Sequence, residues 1–421
     1  MKTLFHGISV LYGTQPQGVF KRGGEMQQLD SMSDAFMLVE DGIIVKLGTV
    51  NSEEFQQLML DNIPQKHLNG AEVLPGFVDS HTHIVFAAPR HEEFELRLKG
   101  ATYEEIAANG GGILNSAAKL GAMSEDELYH QAAQRLNVMI SHGTTCVEIK
   151  SGYGLTPESE LKMLRVIRRL KENFPIIIKS TFLGAHAFPA NFKENREGYM
   201  QQLLEEMLPM VVEQNLADHM DVFCDKGFFD PEQTDRLLKA ASAAGIPAKI
   251  HANELGITGG VQVAVNNGAW SADHLEHCDI DEIAALKRGF EEDYGGTMPV
   301  GLPGTSYFLG IPYTPVKRLM QEGLPVALAT DFNPGSSPIA SLQLVWALAC
   351  TQMKMLPIEA FHAITCNAAR AMRLEQRVGS LAVGMRADFL VTNTLNAVKA
   401  IPYFAGQNHI AEVYVNGVLF K

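Results

Sequence analysis

At 421 residues the chain has room for two or three domains of about 150 residues each, or for one large α/β barrel with an appendage. Apolar residues are 46% and charged residues 19%, which provides a sizeable core and argues against disorder. The net charge of −14, with no basic run to offset it, argues against a nucleic-acid or anionic-membrane surface and means that a small anionic substrate needs a local cation.

The first residues, MKTLFHGISVLYG, hold no long apolar core followed by a small-residue cleavage site, so no signal peptide is expected. No apolar run approaches the roughly 20 residues of a membrane span. Over 1–73 the pattern is of short strands and turns. Ala35–Val39 and Ile43–Leu47 flank Asp41-Gly42, a hairpin pair. Eight short apolar runs follow, at Val73–Val78, Thr145–Ile149, Ile176–Leu183, Asp221–Cys224, Ala248–His251, Ser271–Leu275, Gly296–Gly301 and Val326–Ala329. Helical segments lie between many of them. Ser124 and Glu127 form a capping box, and Thr156-Pro157, Asp230-Pro231 and Thr314-Pro315 each place an N-cap residue before a first-turn proline. Gly110-Gly111-Gly112 permits close backbone approach and fits no nucleotide-phosphate motif. The C-terminal end returns to strands at Ala387–Val391 and Val413–Leu419, the latter interrupted by the turn pair Asn416-Gly417. Buried strands alternating with helices predict an α/β fold, a (β/α)8 TIM-type barrel over 74–375, with a doubly wound sheet as competitor. The two β-rich ends, 1–73 and 376–421, are expected to build one small β-sandwich-like domain. Cys146, Cys224, Cys278, Cys350 and Cys366 are scattered, without C-x-x-C, which fits a reducing cytoplasm.

The informative polar residues come directly after the apolar runs, at what would be the C-terminal face of a barrel. The first run, LPGFVDSHTH, ends in His81 and His83, whose period-two spacing points both imidazoles one way. The fifth run ends in His251 and the eighth in Asp331. Singly, each reads equally as a packing or loop-capping residue. Together, three imidazoles and a carboxylate suit zinc or ferrous iron. Glu254 and His274 are placed to act as bases, although a first-turn carboxylate and a core histidine are their plainer readings.

PGFVDSHTH, with histidines on the fifth and sixth runs and an aspartate on the eighth, resembles the amidohydrolase superfamily of metal-dependent barrel hydrolases. VEIKSGYGL (147–155), FLGAHAFP (182–189), HANELG (251–256), SADHLEH (271–277) and ATDFNPGS (329–336) are similar to the imidazolonepropionase family, over nearly the whole chain. The pattern departs at Ala87-Ala88-Pro89 and at Thr305-Ser306, where glycine-rich residues and an apolar pair are usual. The resemblance implies one zinc or iron ion per chain on His81, His83, His251 and Asp331. Lys226, near the end of the fourth run, is the residue to consider for a bridge to a second metal. It also implies Glu254, His274 and Asp331 as proton-moving residues, and Arg90, Tyr153, His186, Glu254, Asn333, Gly335 and Ser336 as substrate-binding residues. Glu276 and His277 follow His274 too closely to face the same way and are read as structural. Asn333-Pro334-Gly335-Ser336 is expected to expose turn N–H groups. The implied reaction is hydrolytic ring opening of 4-imidazolone-5-propanoate to N-formimidoyl-L-glutamate in histidine degradation, by a cytoplasmic homodimer. The rivals are another amidohydrolase, acting on a cyclic amide or deaminating a heteroaromatic amine, and a barrel that binds a metabolite without turnover.

Overall fold

The computed structural model describes residues 2–101, 111–291 and 295–421. Four strands open the chain: β1 (Lys2–Tyr12), β2 (Ser31–Glu40), β3 (Ile43–Thr49) and β4 (Gln65–Pro75). Asp41 and Gly42 both take positive φ, 50° and 81°, as the tight turn from β2 to β3 requires. Eight strands follow in one sheet: β5 (Phe77–Asp79), β6 (Thr144–Lys150), β7 (Ile177–Ala185), β8 (His219–Cys224), β9 (Ile250–Ala252), β10 (Ser271–His274), β11 (Met298–Gly301) and β12 (Ala327–Leu328). Each pairs in parallel with the next, as strands joined by helical crossovers do. The chain ends in β13 (Phe389–Thr392), β14 (Ile410–Val415) and β15 (Val418–Leu419). Asn416 at φ 52° and Gly417 at φ 71° make the final turn.

The first sheet runs β15-β14-β13-β4-β1-β2-β3, so both chain ends build it. Phe5 on β1 and Tyr414 on β14 are three strands apart in that order, yet their rings lie 5.3 Å apart. A flat sheet would hold those strands about 14 Å apart. The sheet therefore curls around its own core of Phe5, Met37, Val39, Ile44, Phe389 and Tyr414. It is sandwich-like in packing and single in hydrogen bonding. Leu4, Phe36 and Leu38 form a second apolar cluster with Leu58, on the helix Glu53–Leu60.

All eight apolar runs enter the barrel, with one correction. The run Val73–Val78 is not one strand. Val73, Leu74 and Pro75 end β4 and pair with β13, whereas Phe77 and Val78 begin the barrel. Gly76 stands at the switch, where a Cβ would overlap the Thr145 side chain, so only bare backbone passes. Ser124, Thr156 and Asp230 cap the helices Glu125–Ser141, Pro157–Asn173 and Pro231–Ala243 as expected. Thr314 does not cap. The helix Val316–Gln321 starts without a side-chain cap, and the Thr314 hydroxyl instead donates to the His274 carbonyl at 2.5 Å. Of the glycine triplet, Gly110 lies outside the described residues and Gly112, at φ 80°, opens the helix Gly112–Ala122.

The barrel closes just beyond β5 and β12. Asp331 N–H donates to the His81 carbonyl at 3.0 Å and His83 N–H to the Phe332 carbonyl at 2.9 Å. Main-chain bonds at this seam thus fix His81, His83 and Asp331 against one another. Among the described residues, no helix is long and apolar enough to cross a membrane.

Candidate metal centre and active site

His81 and His83 follow β5, His251 sits in β9 and Asp331 follows β12, all at the C-terminal rim. His83 Nε2 lies 3.2 Å from His81 Nε2 and 3.4 Å from His251 Nε2. Asp331 Oδ1 is 3.4 Å from Nε2 of both His81 and His83. Donors about 2.0–2.1 Å from a tetrahedral metal stand about 3.3–3.4 Å apart, so these spacings are those of ligands sharing one ion. All four residues are buried.

The outer ring nitrogens are held by carboxylates. Asp273 Oδ2 is 2.6 Å from His81 Nδ1, and Asp221 Oδ1 is 3.0 Å from His251 Nδ1. A carboxylate accepts, so each Nδ1 carries the proton and each Nε2 turns its lone pair inward. Burial lowers the pKa of His83 and of His251, the latter to about 3, which keeps both neutral, the ligating form. Burial and Lys150 oppose a charge on His81, yet Asp273 and Asp331 outweigh them and raise it. The carboxylates thus draw positive charge to this point, and a divalent cation would supply it. Nitrogen and carboxylate donors without thiolate fit zinc or ferrous iron. The second oxygen of Asp331, Oδ2, accepts from Thr305 Oγ1 at 2.6 Å.

His274 Nε2 lies 3.7 Å from Glu254 Oε2, and His274 Nδ1 lies 3.5 Å from Glu276 Oε1. This corrects the reading of Glu276 as turned away from His274. His274 and Leu275 take φ of 82° and 63°, so the chain doubles back and brings Glu276 onto the ring. Burial pushes the Glu254 carboxyl up to about 7. Burial disfavours a charged His274, but Glu254 and Glu276 outweigh it and hold the imidazole well above its ordinary range.

The other expected residues form an arc along the rim. The His186 ring stacks 5.5 Å from His83, and Tyr153 lies 5.9 Å from His83 and 5.5 Å from His186. His186 Nδ1 is 3.0 Å from the Gly152 carbonyl, which only accepts, so Nδ1 carries the proton and Nε2 remains an acceptor. The Arg90 guanidinium sits 5.7 Å from the centre of the Tyr153 ring, with Nε donating to Ser116 Oγ at 2.9 Å. A Cβ on Gly335 would stand 2.6 Å from Arg90 Nη1, so the glycine leaves the guanidinium its space. Asn333 Oδ1 accepts from Gly335 N–H and Ser336 N–H, both at 2.8 Å, and its amide donates to the Asp331 carbonyl and to Ser336 Oγ. The turn N–H groups expected to face outward are therefore taken by Asn333 itself.

Five fully buried residues were missed by sequence reasoning: Glu148, Lys150, Asp221, Lys249 and Asp273. Lys150 Nζ donates to Glu148 and Asp221, each at 2.7 Å, and Lys249 Nζ donates to the Ser80 carbonyl at 2.6 Å. Asp221 and Asp273, which orient the imidazoles, are thus set by a buried charge network. The available signal was charge at alternate positions within apolar runs, which period two sends into a barrel interior. Lys226, by contrast, is exposed.

A closed α/β barrel with imidazoles and carboxylates crowded on its C-terminal rim defines a class, the metal-dependent barrel hydrolases. The sequence profile of the amidohydrolase family matches residues 73–420. A relative from Flavobacterium johnsoniae named imidazolonepropionase is 47% identical over 418 residues, covering 99% of this chain and 99% of its own. One of the same name from Christiangramia forsetii is 45% identical over 420 residues, covering 100% of both. Among solved structures, E. coli guanine deaminase matches with a TM-score of 0.73 at 15% identity, covering 100% of this chain and 99% of that one, a likeness of fold alone. The chain belongs to the amidohydrolase family and, within it, to the imidazolonepropionases.

Proposed function

We infer that the protein hydrolyses 4-imidazolone-5-propanoate to N-formimidoyl-L-glutamate. Full-length membership in the imidazolonepropionase family carries this reading. In the reaction, the water oxygen bonds to the ring carbonyl carbon, the adjacent C–N bond breaks, and the freed nitrogen takes a proton.

His81, His83, His251 and Asp331 hold one zinc or ferrous ion in this reading. One ion is favoured because Lys226 is exposed, while Lys150 and Lys249 already bond Glu148, Asp221 and the Ser80 carbonyl. The ion supplies Lewis acidity and lowers the pKa of water toward ~7. Glu254, with a carboxyl balanced near neutrality, accepts the proton of the attacking water. His274, kept protonated by Glu254 and Glu276, returns a proton to the leaving nitrogen. Asp331 is the other candidate for that return, but the Thr305 bond to Oδ2 favours His274. Arg90 reads the propionate, since Ser116 fixes Nε and leaves the terminal nitrogens as a fork. Tyr153 and His186 flank the ring, and Asn333, Gly335 and Ser336 shape the wall behind Arg90. Five free thiols support a cytoplasmic location. Homodimerisation rests on the resemblance, and light scattering of the eluting protein tests it.

The deciding experiment is turnover of freshly made imidazolonepropanoate by the metal-loaded protein, with the product identified by mass. Formimidoylglutamate is expected. Ammonia release from a heteroaromatic amine in its place would make the protein a deaminase, and tight binding without turnover would make it a metabolite-binding barrel.

A further inference from the structure

The helix Pro303–Leu309 starts directly after β11, on a side of the rim that contributes none of the residues assigned above. Pro303 sets its first turn. Gly304 lets it approach the exit of β12, since a Cβ there would lie 2.6 Å from Ser337 Oγ and 3.1 Å from the Thr330 carbonyl. That close approach carries the fully buried Thr305 to Asp331, where its hydroxyl donates to Oδ2 at 2.6 Å. The other carboxylate oxygen, Oδ1, is the one that faces His81 and His83.

We infer that Thr305 is a positioning residue for the metal centre, whose hydroxyl engages Asp331 Oδ2 so that Oδ1 alone is presented to the ion. The inference rests on Asp331 being a ligand. A carboxylate beside a divalent cation binds through one oxygen or through both. Its terminal torsion is broad and two-fold, so the side chain has little preference of its own. A short, charge-assisted O–H···O bond on one oxygen supplies that preference. The Asp331 main chain is anchored separately, its carbonyl accepting from the Asn333 amide at 2.7 Å, so carboxylate rotation is the freedom left for Thr305 to remove. Threonine suits the task better than serine, because β-branching stiffens χ1 and aims the hydroxyl before the ion arrives. Valine at this position keeps the shape and deletes the donor, leaving Oδ2 buried without a partner.

The test titrates metal-free wild type, Thr305→Val, Thr305→Ser and Asp331→Asn with Zn²⁺ in competition with a chromophoric chelator. The visible spectra of the Co²⁺-loaded forms are recorded alongside. Thr305→Val is expected to bind Zn²⁺ about 10–100-fold more weakly and to shift the cobalt bands as a second oxygen enters the coordination sphere. Thr305→Ser should recover most of both. Wild-type affinity in Thr305→Val would overturn the inference. So would weakened affinity with an unchanged cobalt spectrum, which would mean that the helix start had moved and not the oxygen. If Thr305→Val does not fold, Thr305→Ala is read by the same criteria. Wild-type affinity in Asp331→Asn would instead remove Asp331 from the ligand set, and the inference with it.

Discussion

Four residues beside the reacting groups take left-handed backbone: Asn253 at φ 60°, His274 at 82°, Leu275 at 63° and Asp331 at 50°. Such conformations cost non-glycine residues about 1–3 kcal/mol each and persist only where neighbours over-determine them. Here the neighbours are Thr314, bonded to the His274 carbonyl at 2.5 Å, and Asn333, bonded to that of Asp331 at 2.7 Å. The strain aims His274 between Glu254 and Glu276, and the pair then has opposite protonation preferences. Glu254, near 7, serves as a base only when ionised, so kcat/KM should fall as pH drops below about 7. His274 keeps its proton through neutrality and should lose it on the alkaline side, giving a bell-shaped profile. Glu254→Gln should abolish the acid limb and His274→Asn the alkaline one. Each should lower kcat by about 10²–10⁴ with metal content unchanged, and a variant that keeps near-native kcat has no proton-transfer role. A second expectation concerns Gly335. A methyl at that position would press on Arg90 Nη1 from 2.6 Å, so Gly335→Ala should raise KM for the propionate substrate about tenfold or more while kcat changes little. An unchanged KM would mean that Arg90 does not hold the carboxylate from its present position.

Secondary-structure elements were more legible than the contacts between them. Eight apolar runs each gave a barrel strand because strands covered on both faces carry continuous hydrophobic sequence. The turn pairs Asp41-Gly42 and Asn416-Gly417 were legible because few residues tolerate positive φ at both turn positions. The junction of the two sheets was not, because Val73–Val78 is apolar throughout while its register partners change from β13 to β6 at Gly76. Glu276 was misplaced for a related reason, since a strand's period gives no warning that two residues beyond its end turn left-handed. The barrel-interior lysines were passed over because Asp221, bonded by Lys150, and the Ser80 carbonyl, bonded by Lys249, lie far away in the sequence and meet them only in the folded barrel. The Gly76 switch can be tested directly. A Cβ there overlaps Thr145 on the neighbouring strand, so Gly76→Ala should destabilise the protein by about 1–3 kcal/mol through overpacking. Thermal melting should register this as a lower Tm, restored in part by Gly76→Ala combined with Thr145→Ala, which removes the hydroxyl and methyl nearest the new Cβ. A melting temperature equal to wild type would mean that the β4–β5 crossing has room to spare.

At the scale of the molecule, the segment between β1 and β2 leaves the curled sheet and straps the end of the barrel opposite the metal residues. Lys21 N–H donates to Asn367 Oδ1 at 2.9 Å, and the Asn367 amide donates back to the Lys21 carbonyl and across to that of Val326. Arg22 Nε donates to the Gly323 carbonyl at 3.0 Å. The strap's far end is held by His362, whose Nε2 donates to the Gln28 carbonyl at 2.9 Å. Burial pushes His362 down to about 4, from an ordinary value of 6.5. The unfolded chain therefore binds this proton more readily than the folded one. The stability tied to a neutral His362 is full above about pH 6.5 and is lost as pH falls from there toward 4. Between pH 7 and pH 5 that loss is about 2 kcal/mol. His362→Gln keeps a donor for the Gln28 carbonyl and has nothing to protonate. Its unfolding midpoint should accordingly fall less than that of wild type over the same pH interval, while the two differ little at pH 7. Because buried histidines at the rim titrate identically in both proteins, the difference between the two slopes isolates His362. Equal slopes would mean that the strap releases before its histidine is protonated, with the first sheet and the barrel separating ahead of the barrel's own unfolding.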